Sequence, residues 1–111
     1  MWLFTDIGFF SVVVDASNPD LLVVRSRSAK DIDRLRSKHF PKAIYKATPD
    51  RDYPHRIFVL RMEMAVAMSK MVLDMVATNF KDRVKDVDGY GRSGLYGQVW
   101  MTMTYLTDLE E

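Results

Sequence analysis

The sequence predicts an α+β fold, in which a four-stranded antiparallel sheet carries helices packed mainly on one face. Two pairs of strand-like segments, each pair joined by a turn-forming stretch, favour antiparallel hairpins. Helix-like segments with an apolar stripe follow each pair, so the expected order is strand-strand-helix-strand-strand-helix-helix. The chain has 111 residues, enough for one domain and its core, and we expect residues 1–111 to form a single α+β domain.

The opening, from Trp2 to Val14, is aromatic and β-branched, which indicates a strand of the core at the start of the chain. Asp6 and Ser11 interrupt its apolar run and no basic residue precedes it, so we expect neither a secretory signal nor a membrane span. Within it, residues 9–15 form the first strand of the predicted first hairpin, and residues 21–28 form the second.

Side-chain alternation in this hairpin predicts that both sheet faces are partly apolar. Leu21 and Val23 share a face with Arg25 and Arg27, and Phe9 lies on one face of the preceding strand. A solvated sheet face alternates more cleanly, so we expect the C-terminal helix or another copy of the chain to cover this second face. Phe9, Leu21 and Val23 are therefore candidate residues of an oligomer interface.

The first helix has recognisable start and stop signals. Ser28 and Asp31 have the S-x-x-D spacing of a helix start, in which the Ser hydroxyl accepts a free backbone N–H and the Asp faces the positive helix end. Pro41 ends the helix. Residues 42–48 and 55–61 then read as the second strand pair, separated by a proline-punctuated loop over residues 49–54.

The longest helix is predicted to begin at Arg61 or Met62, with Glu63 in its first turn, where a negative charge is favoured. Its helically spaced methionines read as core rather than as a binding surface: they are Met64, Met68, Met71 and Met75. Residues 88–97 hold four of the five glycines and predict a flexible connection before a last helix over residues 98–109.

Composition limits the possible functions. The formal net charge is +1, from 16 Lys and Arg against 15 Asp and Glu, which counts against a dedicated nucleic-acid or membrane-surface binder. The chain has no cysteine, and His39 and His55 cannot by themselves build a structural zinc site. We predict no cofactor, no bound metal, no membrane association and a cytoplasmic location.

Basic residues recur on the predicted strands, with aromatic residues nearby: the cations are Arg25, Arg27, Lys46, Arg56 and Arg61, and the aromatics are Tyr45, Tyr53 and Phe58. This pattern has two interpretations. Such a surface can bind single-stranded nucleic acid, where bases stack on rings and guanidinium groups meet phosphates. Alternatively, these side chains solubilise strand edges and pair with the many carboxylates. The near-zero net charge favours the second interpretation.

The loop-to-strand boundary is the other candidate, since it gathers Asp52, Tyr53, His55 and Arg56. Proline at positions 49 and 54 limits the backbone freedom of this loop and so lowers the ordering cost of binding. A general-base role for His55 would need an orienting partner and a pocket. Alternation puts Tyr53 and His55 on one face and Arg56 on the other, so one site using all of them needs an irregular backbone.

Several blocks of the chain resemble a family of small uncharacterised bacterial proteins. The blocks are Trp2-Leu3-Phe4-Thr5 with Gly8-Phe9-Phe10-Ser11-Val12-Val13, then Arg25-Ser26-Arg27, Asp52-Tyr53-Pro54 and Asn79-Phe80-Lys81. The resemblance covers most of the chain and implies no catalytic or binding residue.

Together these features predict a non-enzymatic protein-interaction domain of bacterial or phage type that forms a homo-oligomer. One alternative is a nucleic-acid or nucleotide binder that uses the sheet arginines. Another is an unrecognised enzyme that uses His55.

Overall fold

The computed structural model describes residues 1–110 and divides into two compact units, Met1–Val76 and a second that begins at Ala77. The first unit holds five strands and two helices: β1 (Trp2–Thr5), β2 (Gly8–Val14), β3 (Leu21–Ser26), α1 (Ala29–His39), β4 (Ile44–Ala47), β5 (His55–Leu60) and α2 (Arg61–Leu73). The second unit holds α3 (Phe80–Met103) and a 3-10 helix (Thr104–Leu109). A single domain over the whole chain stays a prediction.

The α+β class and the antiparallel sheet are confirmed, but the sheet has five strands rather than four, in the order β1-β2-β3-β5-β4. The additional strand comes from the opening residues, which fold back on β2 as a hairpin of their own. Thr5 closes that hairpin, because its Oγ1 accepts the N–H of Gly8 at 3.1 Å and donates to the Gly8 carbonyl at 2.8 Å. A turn within the apolar opening thus converts one predicted strand into two.

Both helices of the first unit pack on the same face of the sheet, which we call the first face. Its core joins strand residues to one stripe of each helix: Phe10, Val12, Val24, Ile57 and Val59 from the strands, Ile32 and Leu35 from α1, and Met64 and Ala67 from α2. Met68 and Met71 pack against this cluster, so the methionine stripe is core as far as α2 extends. Met75 lies beyond the helix end and is exposed.

The cap of α1 also ties the helix to the sheet. Ser28 Oγ accepts the backbone N–H of Asp31 at 3.3 Å, as its position predicts. The Asp31 carboxylate, which is buried, accepts the backbone N–H of Phe9 at 3.0 Å. Gly8 lies so close to this carboxylate that a Cβ on it would fall 2.6–2.8 Å from Asp31 atoms. Packing against Asp31 therefore requires a residue without a Cβ at position 8, which is glycine.

The helices differ from the prediction in length and order. The longest helical run is α3, not α2; it consists of two helical segments that join at a kink at Gly89, and the predicted connection over residues 88–97 lies within this run. Only Gly89 is non-helical there, with φ 87° and ψ 179°, a left-handed conformation that favours glycine. Beyond that break the two helical segments meet: Ser93 Oγ donates to the Lys81 carbonyl, and the rings of Phe80 and Tyr96 stack at 5.7 Å. None of the helices in residues 1–110 has the length and apolar character that spanning a membrane requires.

Candidate functional site

The second face of the sheet carries one residue from each of the five strands in a single cross-strand row. In spatial order these residues are Trp2, Ser11, Arg25, Arg56 and Lys46, and we call this set the cationic row. Neighbouring strands lie about 4.8 Å apart, so the row crosses about 19 Å. The five strands contain no Asp or Glu, and all of their Lys and Arg residues belong to this row.

Tyr53 lies beside the row and supports Arg25 and the neighbouring Arg27. The ring is only 5% exposed, because the guanidinium carbons of Arg25 and Arg27 lie 4.7 and 5.1 Å from its centroid. Both distances are within the range of cation–π attraction. Arg27 follows β3 directly and is exposed, so it extends the positive surface past the end of the strand.

Short hydrogen bonds orient the two half-buried arginines of the row. Arg25 donates from an Nη to Ser11 Oγ at 2.6 Å, while its Nε is buried without a hydrogen-bond partner. Arg56 donates from Nε to Thr48 Oγ1 at 3.2 Å, and that hydroxyl donates to the Tyr53 carbonyl at 3.1 Å. Each contact uses one N–H of the guanidinium group and leaves other N–H groups for a ligand.

Between Met1 and Glu110, none of Arg25, Arg27, Lys46 and Arg56 takes part in an ion pair. The interpretation in which strand arginines pair with carboxylates therefore does not describe them. Four positive charges on one sheet face without counter-charges repel one another, and a bound anion relieves that repulsion.

Aromatic residues surround the β1 end of the row. The Trp2 ring meets the Phe9 ring edge-on, with 6.1 Å between centroids and 84° between planes. Phe4 stacks on Phe9 with 4.6 Å between ring centroids, and Phe9 in turn lies 6.5 Å from Tyr53. Trp2 remains 67% exposed, although the pairing of β1 with β2 fixes its backbone.

The residues of the loop candidate do not come together in one place. His55 lies on the first face, where its Nδ1 is 2.7 Å from the Tyr45 hydroxyl, so it is on the opposite side of the sheet from Arg56. Tyr53 lies on the second face, and the expectation that it shares a face with His55 is wrong, because Pro54 separates it from the regular strand. Asp52 is exposed, and its Oδ1 accepts the N–H of Tyr53 at 3.0 Å.

The three predicted interface residues lie in two different environments. Val23 is 5% exposed and lies in a second cross-strand row with Val13, Phe58 and Ile44. Leu21 pairs with Leu60 in the row beyond it. Phe9 belongs instead to the aromatic cluster around Trp2. The second face thus has an apolar half and a cationic half.

The C-terminal end of α1 faces α2 across an open groove of about 470 Å³. Both apolar and charged or polar residues line this groove: Lys38, His39, Leu60, Met62, Glu63, Val66, Ala67 and Lys70. Burial lowers the pKa of His39, and the positive charges of Lys38 and Lys70 lower it further, while Asp74 opposes them. The Nε2 of this histidine is buried without a hydrogen-bond partner.

Sequence reasoning identified the four cations and Tyr53 but missed Trp2 and Ser11. Both enter the site through the register of β1 and β2, and the D-x-G turn signal at Asp6 and Gly8 could have revealed that hairpin. No group of His, Cys, Asp or Glu residues within residues 1–110 is arranged to hold a metal ion. Comparisons with protein-family models, curated proteins and solved structures find no match, so the family resemblance stays a prediction.

Proposed function

We propose that this protein binds single-stranded nucleic acid through the cationic half of its second sheet face. The observation that carries the proposal is the set of four cations that form no ion pair within residues 1–110 and that lie together on that face. Phosphate suits such a surface, because the planar guanidinium of arginine donates two parallel hydrogen bonds to it.

The arginines are held ready for such a ligand. The Tyr53 ring lies beneath Arg25 and Arg27, and Ser11 fixes one Nη of Arg25. Ordering a long arginine side chain at binding costs free energy, and contacts that order it beforehand reduce that cost.

The small net charge of +1 agrees with a local surface rather than a wholly basic protein. For single strands, the slope of log affinity against log salt is about −0.7 for each phosphate neutralised. Four contacts predict an affinity loss of about 50-fold between about 50 and 200 mM salt. Two contacts predict a loss of about 7-fold over the same interval.

Fluorescence anisotropy with a labelled oligothymidylate of about eight nucleotides tests the proposal. We expect binding at low salt with the steep salt dependence given above. Replacing Arg27 and Lys46, both exposed, by alanine should lower affinity and reduce the slope toward the two-contact value. Replacing Lys38 on α1 and Lys70 on α2 together by alanine is the charge-matched control and should change neither.

Two outcomes would contradict the proposal. The first is the absence of binding at low salt, the condition most favourable to electrostatic contacts. The second is equal affinity for thymidine monophosphate and for the oligonucleotide, which would make the ligand a nucleotide rather than a strand. A melting temperature equal to that of the unsubstituted protein would show that a variant keeps the fold.

Self-association is the second candidate function, and exposed apolar side chains favour it. Met62, Val66 and Leu73 on α2 are all more than half exposed. In the second unit, buried hydrophobic residues within its described part are limited to Val84 and Tyr96. A unit of about 40 residues or fewer usually needs cross-links, metals or oligomerisation for stability. We therefore propose a homo-oligomer and, as predicted from the sequence, a cytoplasmic location.

A further inference from the structure

We propose that Trp2 stacks on a base of the bound strand, at the β1 end of the cationic row. This inference rests on the proposed nucleic-acid function and adds the contact by which the site reads a base rather than a phosphate. It places phosphate contacts at Arg25 and Arg56. The base contact lies on the same face of the sheet, two strands from Arg25.

The geometry of Trp2 suits this role. It shares the cross-strand row with Ser11 and Arg25, so its side chain leaves the sheet on the same side as the phosphate donors. Its ring meets the Phe9 ring at 84° between planes, so this contact occupies at most one face of the indole and another ring can stack on the opposite face. Trp2 is 67% exposed although its side chain is largely apolar.

The backbone that carries the indole is also held in place before any ligand arrives. The residue before it is held by two hydrogen bonds: the Met1 ammonium group donates to the Val12 carbonyl at 2.8 Å, and the Val12 N–H donates to the Met1 carbonyl at 2.7 Å. Phe4 stacks on Phe9 and so supports the ring that Trp2 contacts. A rigid aromatic platform loses little conformational freedom on binding.

The distance from Trp2 to Arg25 agrees with a strand that crosses the β-strands. Two strand spacings separate the two Cα atoms, which is about 9.6 Å. A nucleotide that stacks its base on the indole can therefore present its own or the next phosphate to Arg25, since base and phosphate lie on opposite sides of the sugar. Every base has a π-face, so this contact tolerates any sequence.

The experiment uses Trp2 fluorescence as a direct readout of stacking. Trp100 is the second tryptophan, and Trp100→Phe leaves Trp2 as the single indole reporter. The probes are an oligothymidylate of about eight nucleotides and an abasic sugar-phosphate oligomer of the same length. We expect the oligothymidylate to quench Trp2 fluorescence and the abasic oligomer to bind without quenching.

A matched pair of variants then separates stacking from phosphate binding. We expect Trp2→Ala to weaken binding of the oligothymidylate by about 10-fold and Trp2→Phe to recover most of that loss. Affinity for the abasic oligomer should be the same for both variants and for the protein with Trp2. Thermal melting checks that Trp2→Ala keeps the β1 hairpin.

The two proposals fail in different ways. If the oligothymidylate binds with arginine and salt dependence but Trp2→Ala binds as tightly and no quenching occurs, the stacking inference is overturned and the nucleic-acid function stands. If neither oligomer binds at low salt, both are overturned.

Discussion

The carboxylate of Asp31 accepts a hydrogen bond of 3.0 Å from the backbone N–H of Phe9, across 22 positions of sequence. This bond joins the first turn of α1 to the start of β2, and Asp31 is 2% exposed. A buried N–H that loses its acceptor keeps its desolvation cost. The bond therefore links helix docking to the stability of the sheet.

Replacing Asp31 by alanine should lower the free energy of unfolding by about 1–3 kcal/mol, because the Phe9 N–H is left unpaired. Asp33, two residues further along the same helix, is exposed, and Asp33→Ala is the matched control. Urea unfolding followed by circular dichroism measures both. Equal losses in the two variants would show that helix charge, not this bond, sets the effect.

Gly8→Ala should destabilise the fold by about 1–3 kcal/mol, because the added methyl overlaps Asp31. Gly94→Ala is the contrasting substitution: its Cβ would meet no atom within 4 Å, and position 94 lies in a helix. There alanine should add up to about 1 kcal/mol of helix stability. Circular dichroism melts of the two variants should move in opposite directions, and a neutral Gly8→Ala would contradict the close packing.

Stability should fall as the pH falls below the ordinary histidine value of 6.5, because burial and the nearby lysines hold the pKa of His39 lower in the folded state. The unfolded chain then binds the proton first, so protonation favours unfolding. Lys70→Gln removes a charge that lowers this pKa and should flatten the pH dependence. Asp74→Asn removes the opposing charge and should steepen it. Urea unfolding between about pH 5 and 7 gives the slopes, and identical slopes in both variants would exclude His39 as the cause.

Tyr53→Leu should weaken oligonucleotide binding by about 5- to 30-fold, since the aromatic support under Arg25 and Arg27 is lost while an apolar side chain remains. Tyr53→Phe retains the ring and should bind normally. Anisotropy titrations at low salt measure the difference. If both variants bind alike and differ only in melting temperature, Tyr53 serves the fold and not the arginines.

Self-association should give about twice the chain mass of 12.9 kDa in light scattering after gel filtration at micromolar concentration. Val66→Asp places a charge on the exposed apolar side of α2 and should shift the equilibrium toward the monomer without lowering monomer stability. Ser69→Asp, on an exposed polar position of that helix, is the control. A monomer at every concentration, with or without the substitution, would exclude the homo-oligomer.

The sequence predicted most of the strands and the core because alternation and helical spacing are local properties. The faces of Val23 and Arg25 follow directly from period-two alternation, and the Ser28 cap follows from its spacing to Asp31. The site depended on pairing between distant segments, which no local pattern encodes. Trp2 joins Arg25 only through the register of three strands.

Two local signals were also misread, for identifiable reasons. Proline at position 54 breaks the alternation that would have placed Tyr53 with His55, and the ring turns to the other face. Glycines between residues 88 and 97 indicated a loop by composition, yet a helix tolerates them at about 1 kcal/mol each, and only Gly89 breaks it.

The sheet ends on both sides in its shortest strands, β1 and β4, of four residues each. An edge this short offers an incoming strand few backbone hydrogen bonds, and the lysine at position 46 adds a charge that disfavours docking. Strand addition, by which an antiparallel sheet extends into a fibril, is therefore disfavoured at both edges. Copies of this chain that meet one another are therefore expected to join through side chains rather than through added strands.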